Sequence, residues 1–168
     1  MIGAGKIGQK IIAEAQAFSP EKVVYYSRTQ KDCGAEYQEL NDLLGMSDVI
    51  FVAAPGTSGQ LLDSEDISKI KQDALLVSIS PMNLINFDAL YERLERGDMR
   101  AAIDFPPPND KFKSLPLGIW YNTNSHNAYN TKQAAKLCSD MAIESLFNLL
   151  KTGDDQYLVN PEYKNSAA

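Results

Sequence analysis

Short apolar runs alternate along the chain with longer segments in which apolar residues recur every three or four positions. Runs of about four to eight apolar residues are typical of buried strands, and the longer repeat is typical of amphipathic helices. The predicted strands are 23–27, 48–53, 75–79, 99–104 and 118–122. The predicted helices are 6–18, 37–44, 64–71, 87–96 and 131–151. This alternation predicts an α/β domain, a doubly wound parallel sheet in three α/β/α layers.

The same pattern indicates where the core lies. The predicted strands 23–27, 48–53 and 99–104 are almost continuously apolar, as in strands that helices cover on both faces. The last helix carries an apolar stripe that predicts core, and the glycine at 153 is a helix stop signal. The stripe consists of Ala134, Cys138, Met141, Ser145 and Leu149. We expect one dinucleotide-binding domain over residues 1–152 and a C-terminal tail over 153–168.

The beginning of the chain is unusual for such a sheet. A glycine-rich turn at residues 3–8 should follow a buried central strand, but only Met1 and Ile2 precede it, about a third of a typical strand. The sequence therefore predicts a truncated first strand in a chain that is shortened at its N-terminus.

Composition narrows the functional classes. The 16 Lys and Arg residues against 22 Asp and Glu give a formal charge of −6, which argues against general affinity for nucleic acid or anionic membranes. No apolar run approaches the roughly 20 residues of a transmembrane helix and no signal peptide is recognised, so we expect a cytoplasmic protein. Cys33 and Cys138 lack the spacing of a zinc site and are expected to be reduced, so no metal is predicted.

Residues 3–8 read Gly-Ala-Gly-Lys-Ile-Gly and fit the G-x-G-x-x-G pattern that opens a dinucleotide-binding helix. In this pattern Gly3 makes the tight turn, Gly5 lets a pyrophosphate approach the backbone, and Gly8 lets the helix pack closely on the strand. Lys6 and Ile7 begin the helix, whose free N–H groups and partial positive charge attract phosphate. These five residues are the predicted phosphate-binding part of a Rossmann-type site.

The residues after the next predicted strand indicate which dinucleotide binds. An acidic residue that binds the adenosine ribose of NAD is expected about 20 residues after the glycine motif, and Ser27 occupies that position. Arg28 and Thr29 follow it. A guanidinium can bind a ribose 2′-phosphate that a carboxylate would repel, so this segment predicts NADP(H) in preference to NAD(H). The alternative is that Arg28 is a solvated surface residue.

Five motifs in a fixed order resemble the D-isomer-specific 2-hydroxyacid dehydrogenase family, in particular its coenzyme domain. They are residues 3–8, 47–55 with Thr57 after it, 74–80 followed by 84–90, 100–104 and the block around His126. The resemblance implies a Rossmann-type domain with a nicotinamide cofactor, a homodimer, and a separate substrate lobe formed mostly by sequence that would precede Met1. It also implies that Pro55, Ile79 and Asp104 contact the cofactor.

The resemblance further implies a catalytic trio: an Arg that binds the substrate carboxylate, a His that transfers the hydroxyl proton, and a Glu that orients the His. Hydride transfer builds negative charge on the carbonyl oxygen, which an adjacent imidazolium can stabilise and protonate. The His is kept as His126, the single histidine of the chain. Pro81 occupies the Arg position and Asn109 the Glu position, and the adjacent Asp110 is a candidate substitute for the Glu. The alternative is that His126 is a hydrogen-bonded histidine without a catalytic role.

Two functional hypotheses follow from these residues. In the first, the protein is an oxidoreductase that transfers a hydride between NADP(H) and a 2-oxoacid, a 2-hydroxyacid or a related carbonyl compound, with weak turnover or an altered substrate. In the second, it is a non-catalytic module that binds or senses NADP(H). A fragment without independent function is a third alternative. In the first two, the partners are small molecules rather than nucleic acid or membranes.

Overall fold

A computed structural model describes residues 1–122 and 124–158, and its elements follow the predicted alternation. The strands are β1 (Val24–Tyr25), β2 (Glu36–Tyr37), β3 (Val49–Val52), β4 (Leu75–Ser78), β5 (Arg100–Ile103) and β6 (Trp120–Asn122). The helices are α1 (Lys6–Gln16), α2 (Leu40–Met46), α3 (Ser64–Lys69), α4 (Phe87–Glu95) and α5 (Lys132–Thr152). Each predicted element is present with shortened or shifted bounds, so the α/β class is confirmed.

The strand pairs in the described part of the chain are parallel. β3, β4, β5 and β6 form a four-stranded sheet in that order, with Ile50 beside Leu76 and Leu76 beside Ala101. β1 and β2 form a separate pair. The sequence pattern does not predict β2, because its two residues, Glu36 and Tyr37, form no apolar run.

Ile2 joins these two sets of strands. Its N–H donates to the Phe51 carbonyl at 2.7 Å and its carbonyl accepts from the Ala53 N–H at 2.9 Å. On the other side, the Gly3 N–H donates to the Tyr26 carbonyl at 2.8 Å. Ile2 thus lies between Tyr26 and Val52, where it forms one parallel bridge to each and takes the place of a central strand. The strand order reverses at this point, and parallel α/β sheets bind ligands at such a switch point.

The two faces of the sheet are covered unequally. On one face, α2, α3 and α4 pack on β3 and β4, where Ile50 and Leu76 are fully buried. On the other face α1 packs through Ile12, whereas Val49 of β3 remains 47% exposed. Burial on both faces therefore holds for β1 but is wrong for β3 and β5, which bury alternate residues. The reason is that α1 is the one helix of the compact unit Met1–Ala128 on that second face.

Helix α5 belongs to a second compact unit, Tyr129–Ala168. The Thr131 hydroxyl caps it by accepting from the Ala134 N–H at 3.0 Å, and the helix ends at Gly153, whose φ of 68° agrees with the predicted stop. The predicted core stripe is wrong, because no residue of α5 is buried. Three residues of the stripe, Met141, Ser145 and Leu149, are half-buried, whereas Phe147 outside it is exposed.

Two expectations about this region stay predictions: that α5 is part of the nucleotide-binding domain, and that a tail begins at residue 153. Residues 159–168, most of that tail, lie outside the described residues. Neither α5 nor any other described helix has both the length and the apolar content needed to cross a membrane.

A buried arginine closes the C-terminal end of α3. The Arg93 guanidinium donates to the Ile67 carbonyl at 2.8 Å and to the Ile70 carbonyl at 3.0 Å. It also bonds the Asp98 carboxylate at 2.5 Å, and Arg96 bonds the same group at 3.1 Å. Burial alone would raise the pKa of Asp98, but the hydrogen bonds from Arg93 and Arg96 outweigh it and hold the pKa of Asp98 below its usual value. This network fixes α4 to α3 away from the site.

Candidate functional site

The predicted site residues meet at the carboxyl edge of the sheet, because parallel strands all end at the same edge. Hydrogen bonds join the segments that follow neighbouring strands. The Ala54 N–H donates to the Ser80 hydroxyl at 2.8 Å, and the Asp104 N–H donates to the Ser78 carbonyl at 2.9 Å. The predicted residues that follow strand ends at this edge are Gly3, Gly5, Ser27, Arg28, Thr29, Pro55, Ile79, Pro81 and Asp104.

Two glycines of the first turn are required by the chain itself. Gly3 has a φ of 92°, and a Cβ there would lie 2.4 Å from the Ala53 carbonyl oxygen. A Cβ on Gly8 would lie 1.9 Å from the Gly3 carbonyl oxygen. Side chains at either position would collide with backbone, so both glycines permit the close approach of this turn to β3 and α1.

Gly5 differs from these two glycines. Its φ of −75° and ψ of −170° are open to any residue, and no atom of the described chain outside its neighbours lies within 4 Å of a Cβ built there. It is the N-cap of α1, which begins without a side-chain cap and without an acidic residue in its first turn. Since side chains such as Ser or Asp are preferred at an N-cap, a glycine here leaves both open space and uncapped N–H groups around Lys6 and Ile7.

The turn after β1 presents an exposed cation. The Ser27 hydroxyl donates to the Thr29 carbonyl at 2.5 Å and closes a compact turn over residues 27–29. Arg28 lies at its tip, is exposed, and forms no ion pair with any carboxylate in residues 1–122 and 124–158. The adenosine end of the predicted site therefore carries an exposed guanidinium with no ion-pair partner among the described carboxylates, and position 27 has no acidic side chain.

The turn after β4 is rigid and carries no charge. Ser80 is 3% exposed, and its hydroxyl accepts from the Ala54 N–H and donates to the Val52 carbonyl at 3.1 Å. Pro81 follows, and a Cβ on Gly56 would lie 3.2 Å from the Pro81 ring, so the loop after β3 packs against the proline. A neutral surface thus occupies the place where the resemblance implies a substrate-binding arginine.

His126 lies beside Asp104 at the end of β5. The Asp104 carboxylate lies 2.9 Å from His126 Nδ1, within ion-pair distance, and accepts hydrogen bonds from the Asn127 N–H at 3.0 Å and from the Ala128 N–H at 2.9 Å. The Asp104 side chain is 12% exposed and the His126 side chain 39%. The Phe105 ring stacks on the imidazole with centroids 4.0 Å apart. An accessible imidazole is therefore held on one nitrogen by a nearly buried carboxylate.

The residues at the implied glutamate position bond elsewhere. The Asn109 side chain accepts from the Lys111 N–H at 3.2 Å and begins a 3₁₀ helix. The Asp110 carboxylate pairs with Lys113 at 2.7 Å, and its side chain is 88% exposed. The carboxylate that the structure places on Nδ1 of the histidine is therefore that of Asp104, while Asp110 is engaged with Lys113.

Sequence reasoning gives no role to three residues that build this edge. Ser80 joins the ends of β3 and β4, and Phe105 stacks on the histidine. The Asn122 amide donates to the carbonyls of Ile103 and Phe105 and holds the end of β5. A polar residue at the end of an apolar strand, as at Ser80 and Asn122, is the signal that identifies such positions.

Comparison with known proteins agrees with this geometry. The family model for the D-isomer-specific 2-hydroxyacid dehydrogenase NAD-binding domain matches residues 1–129. A glyoxylate reductase of Pyrococcus horikoshii is 35% identical over 109 residues, which cover 61% of this chain and 32% of that protein. The chain spans 32% of the length of several such relatives.

Solved structures share the fold. A D-isomer-specific 2-hydroxyacid dehydrogenase from Polaromonas sp. JS6 66 matches with a TM-score of 0.79 and 30% identity, over 90% of this chain and 50% of that one. An acyclic imino acid reductase in complex with NADPH and D-arginine matches with a TM-score of 0.76 and 26% identity, over 89% of this chain and 49% of that one. Each match covers about half of the solved chain.

Proposed function

Because the chain belongs to the D-isomer-specific 2-hydroxyacid dehydrogenase family, whose NAD-binding domain it contains, we propose that it binds NADP(H) and acts in hydride transfer to or from a 2-oxoacid, a 2-hydroxyacid or a related carbonyl compound. The cofactor supplies or accepts the hydride when it is bound. The observation that carries the proposal is the open space at Gly5, a glycine that the fold itself does not require.

The start of α1 is the proposed phosphate site. The N–H groups of the first helical turn have no partner within a helix, and the helix end carries a partial positive charge. Lys6 and Ile7 form this turn, and a side chain at Gly5 would fill the space in front of it. The residues present therefore suit a pyrophosphate, which the N-termini of such helices bind.

The proposed preference for NADP(H) rests on the turn after β1. The Ser27 hydroxyl donates within the turn, so Arg28 supplies the positive charge for a 2′-phosphate, and the Thr29 hydroxyl is a second donor. A guanidinium binds phosphate oxygens through two parallel hydrogen bonds. Pro55 and Ile79, which follow β3 and β4, complete the proposed cofactor side of the site.

His126 is the proposed acid and base of the reaction. An imidazolium can protonate the oxygen on which charge develops, and His126 is partly exposed at the edge where the cofactor would lie. Pro81 offers a substrate carboxylate neither charge nor N–H, and Asn109 is neutral. We therefore propose weak turnover of 2-oxoacids, or a related carbonyl substrate that does not need this arginine.

The second candidate function is a non-catalytic module that binds or senses NADP(H). The observation that favours it is the neutral, tightly packed turn at Pro81, which lacks the charge that the resemblance implies. A panel of 2-oxoacids and aldehydes with NADPH separates the two functions, because the module consumes no cofactor with any of them.

The remaining proposals concern partners and location. We propose small molecules as ligands, a homodimer by family resemblance, and a cytoplasmic protein. Sedimentation in the presence and absence of NADPH tests the dimer.

Fluorescence titration of the full chain with NADPH and NADH tests the proposed function. We expect NADPH to bind at least about tenfold more tightly than NADH, the size of one added charged hydrogen bond. Gly5→Val should remove binding of both nucleotides, and Gly5→Ala should weaken both. The matched control is Gly45→Ala, another glycine without a positive φ and with room for a Cβ. Unchanged affinity in the Gly5 variants would mean that this turn is not the phosphate site.

A further inference from the structure

The carboxylate that contacts His126 points to a role different from the one the resemblance implies. We infer that Asp104 is the positioning residue of His126 and takes the place of the acidic residue missing at Asn109. This inference rests on the proposed function, in which His126 transfers the proton.

The carboxylate faces one nitrogen of the ring. An Asp104 oxygen 2.9 Å from Nδ1 favours the form of the imidazole in which Nδ1 carries the proton, because a carboxylate can accept a hydrogen bond but cannot donate one. Proton transfer to a substrate then falls to Nε2 of His126. Phe105, stacked at 4.0 Å, covers a face of the same ring, so consecutive residues at the end of β5 contact both a face and one nitrogen of the imidazole.

Asp104 also fixes the backbone that carries the histidine. Its two oxygens accept from the N–H groups of Asn127 and Ala128, directly after His126. The Asp104 N–H is itself bonded to the Ser78 carbonyl of β4. The histidine loop is therefore tied through one side chain to the central strands of the sheet, which is what a positioning residue must provide.

Two charged side chains of the segment after β5 pair with other residues. Asp110 pairs with Lys113 at 2.7 Å, and Lys111 pairs with Asp88 of α4 at 2.7 Å. The Asp88 side chain is 84% exposed. Among the residues that the structure describes, Asp104 is the carboxylate within ion-pair distance of the imidazole.

The single histidine of the chain makes a direct test possible. In ¹⁵N-labelled full chain without nucleotide, at about pH 9 where histidine is ordinarily neutral, the ring nitrogen shifts report which nitrogen carries the proton. We expect mainly the Nδ1–H tautomer in the unmodified protein. Asp104→Asn should reverse it, because the amide can keep accepting from the backbone N–H groups while its NH₂ donates to Nδ1. Asp110→Asn, the same change six positions further on, should leave it as it is.

Several outcomes overturn the inference. An Nε2–H tautomer in the unmodified protein does so without any variant, and so does a folded Asp104→Asn protein that keeps Nδ1–H. If Asp104→Asn instead weakens NADPH binding about tenfold with no change of tautomer, its carboxylate belongs to the cofactor site. Failure of the proposed function is a separate result: the protein would then not bind NADPH, whatever the tautomer of His126.

Discussion

The glycine turn at residues 3–8 and the loops that carry Pro81, Asn109 and His126 follow strands that end at the same edge of the sheet, but they keep different parts of the family pattern. The turn has all three glycines, two of them forced by backbone contacts and the third facing open space. The three loops keep the histidine but have a proline and an asparagine at the other two positions that the resemblance implies. The carboxylate of Asp104 contacts the histidine.

This difference shows what constrains each region. Gly3 and Gly8 serve the fold as well as the ligand, because a side chain at either position meets backbone. The position of the implied arginine is not constrained by the backbone in this way. Pro81 occupies it and packs against the loop after β3. Binding of a dinucleotide and chemistry on a substrate can therefore change separately.

The largest expected effect separates the glycines within the turn. Gly8→Ala should lower the free energy of unfolding by about 3 kcal/mol or more, because its Cβ would lie 1.9 Å from the Gly3 carbonyl oxygen. Gly5→Ala should leave it within about 0.5 kcal/mol. Urea unfolding of both variants measures this. Equal destabilisation would contradict a ligand-only role for Gly5.

The next effect concerns the neutral turn after β4. Pro81→Arg should raise kcat/KM for glyoxylate by one to two orders of magnitude, roughly what a charged hydrogen bond to a carboxylate contributes. NADPH oxidation by the full chain measures it. Acetaldehyde, which has no carboxylate, should gain nothing, and Pro81→Ala should reproduce none of the gain. Equal gains with both substrates would show that the proline acts through packing.

A smaller effect is expected in the turn after β1, at the proposed adenosine end of the site. Arg28→Ala should reduce the preference for NADPH over NADH by about tenfold, because the guanidinium is the available charge for the 2′-phosphate. Arg100→Ala, at the opposite edge of the sheet, is the matched control. Competition titrations give both ratios. A preference that survives the loss of Arg28 would mean that this residue is a solvated side chain.

The smallest effect concerns the ion-pair network of Asp98, Arg93 and Arg96, and tests whether this part of the fold is independent of nucleotide binding. Asp98→Asn should lower stability at neutral pH by about 1 kcal/mol, since the pKa of Asp98 is lowered by its bonds to Arg93 and Arg96. A lowered folded-state pKa gives stability that is complete above the ordinary value near 4 and is lost as the pH falls through the folded value. The difference from the unmodified protein should therefore vanish at low pH. NADPH affinity at neutral pH should not change.

Local sequence patterns predict most of the fold and the nucleotide-binding part of the site. The glycine motif, the strands and α1 all depend on neighbours in sequence, and the structure has them. The periodicity of α5 predicts a buried stripe, but no residue of the helix is buried, because burial depends on what packs against a helix and not on its own periodicity. The contact between Asp104 and His126 joins the ends of separate strands, so no local pattern reveals it.

One experiment tests the central claim, that the nucleotide-binding turn at residues 3–8 is kept while the catalytic positions at Pro81 and Asn109 are changed. The full chain is titrated with NADPH until its fluorescence saturates, and glyoxylate is then added to the same sample. We expect saturable binding followed by slow loss of NADPH, below about 0.1 per second, well under the typical rate near 10 per second. Absence of binding, or loss of NADPH at about 10 per second, would contradict the claim.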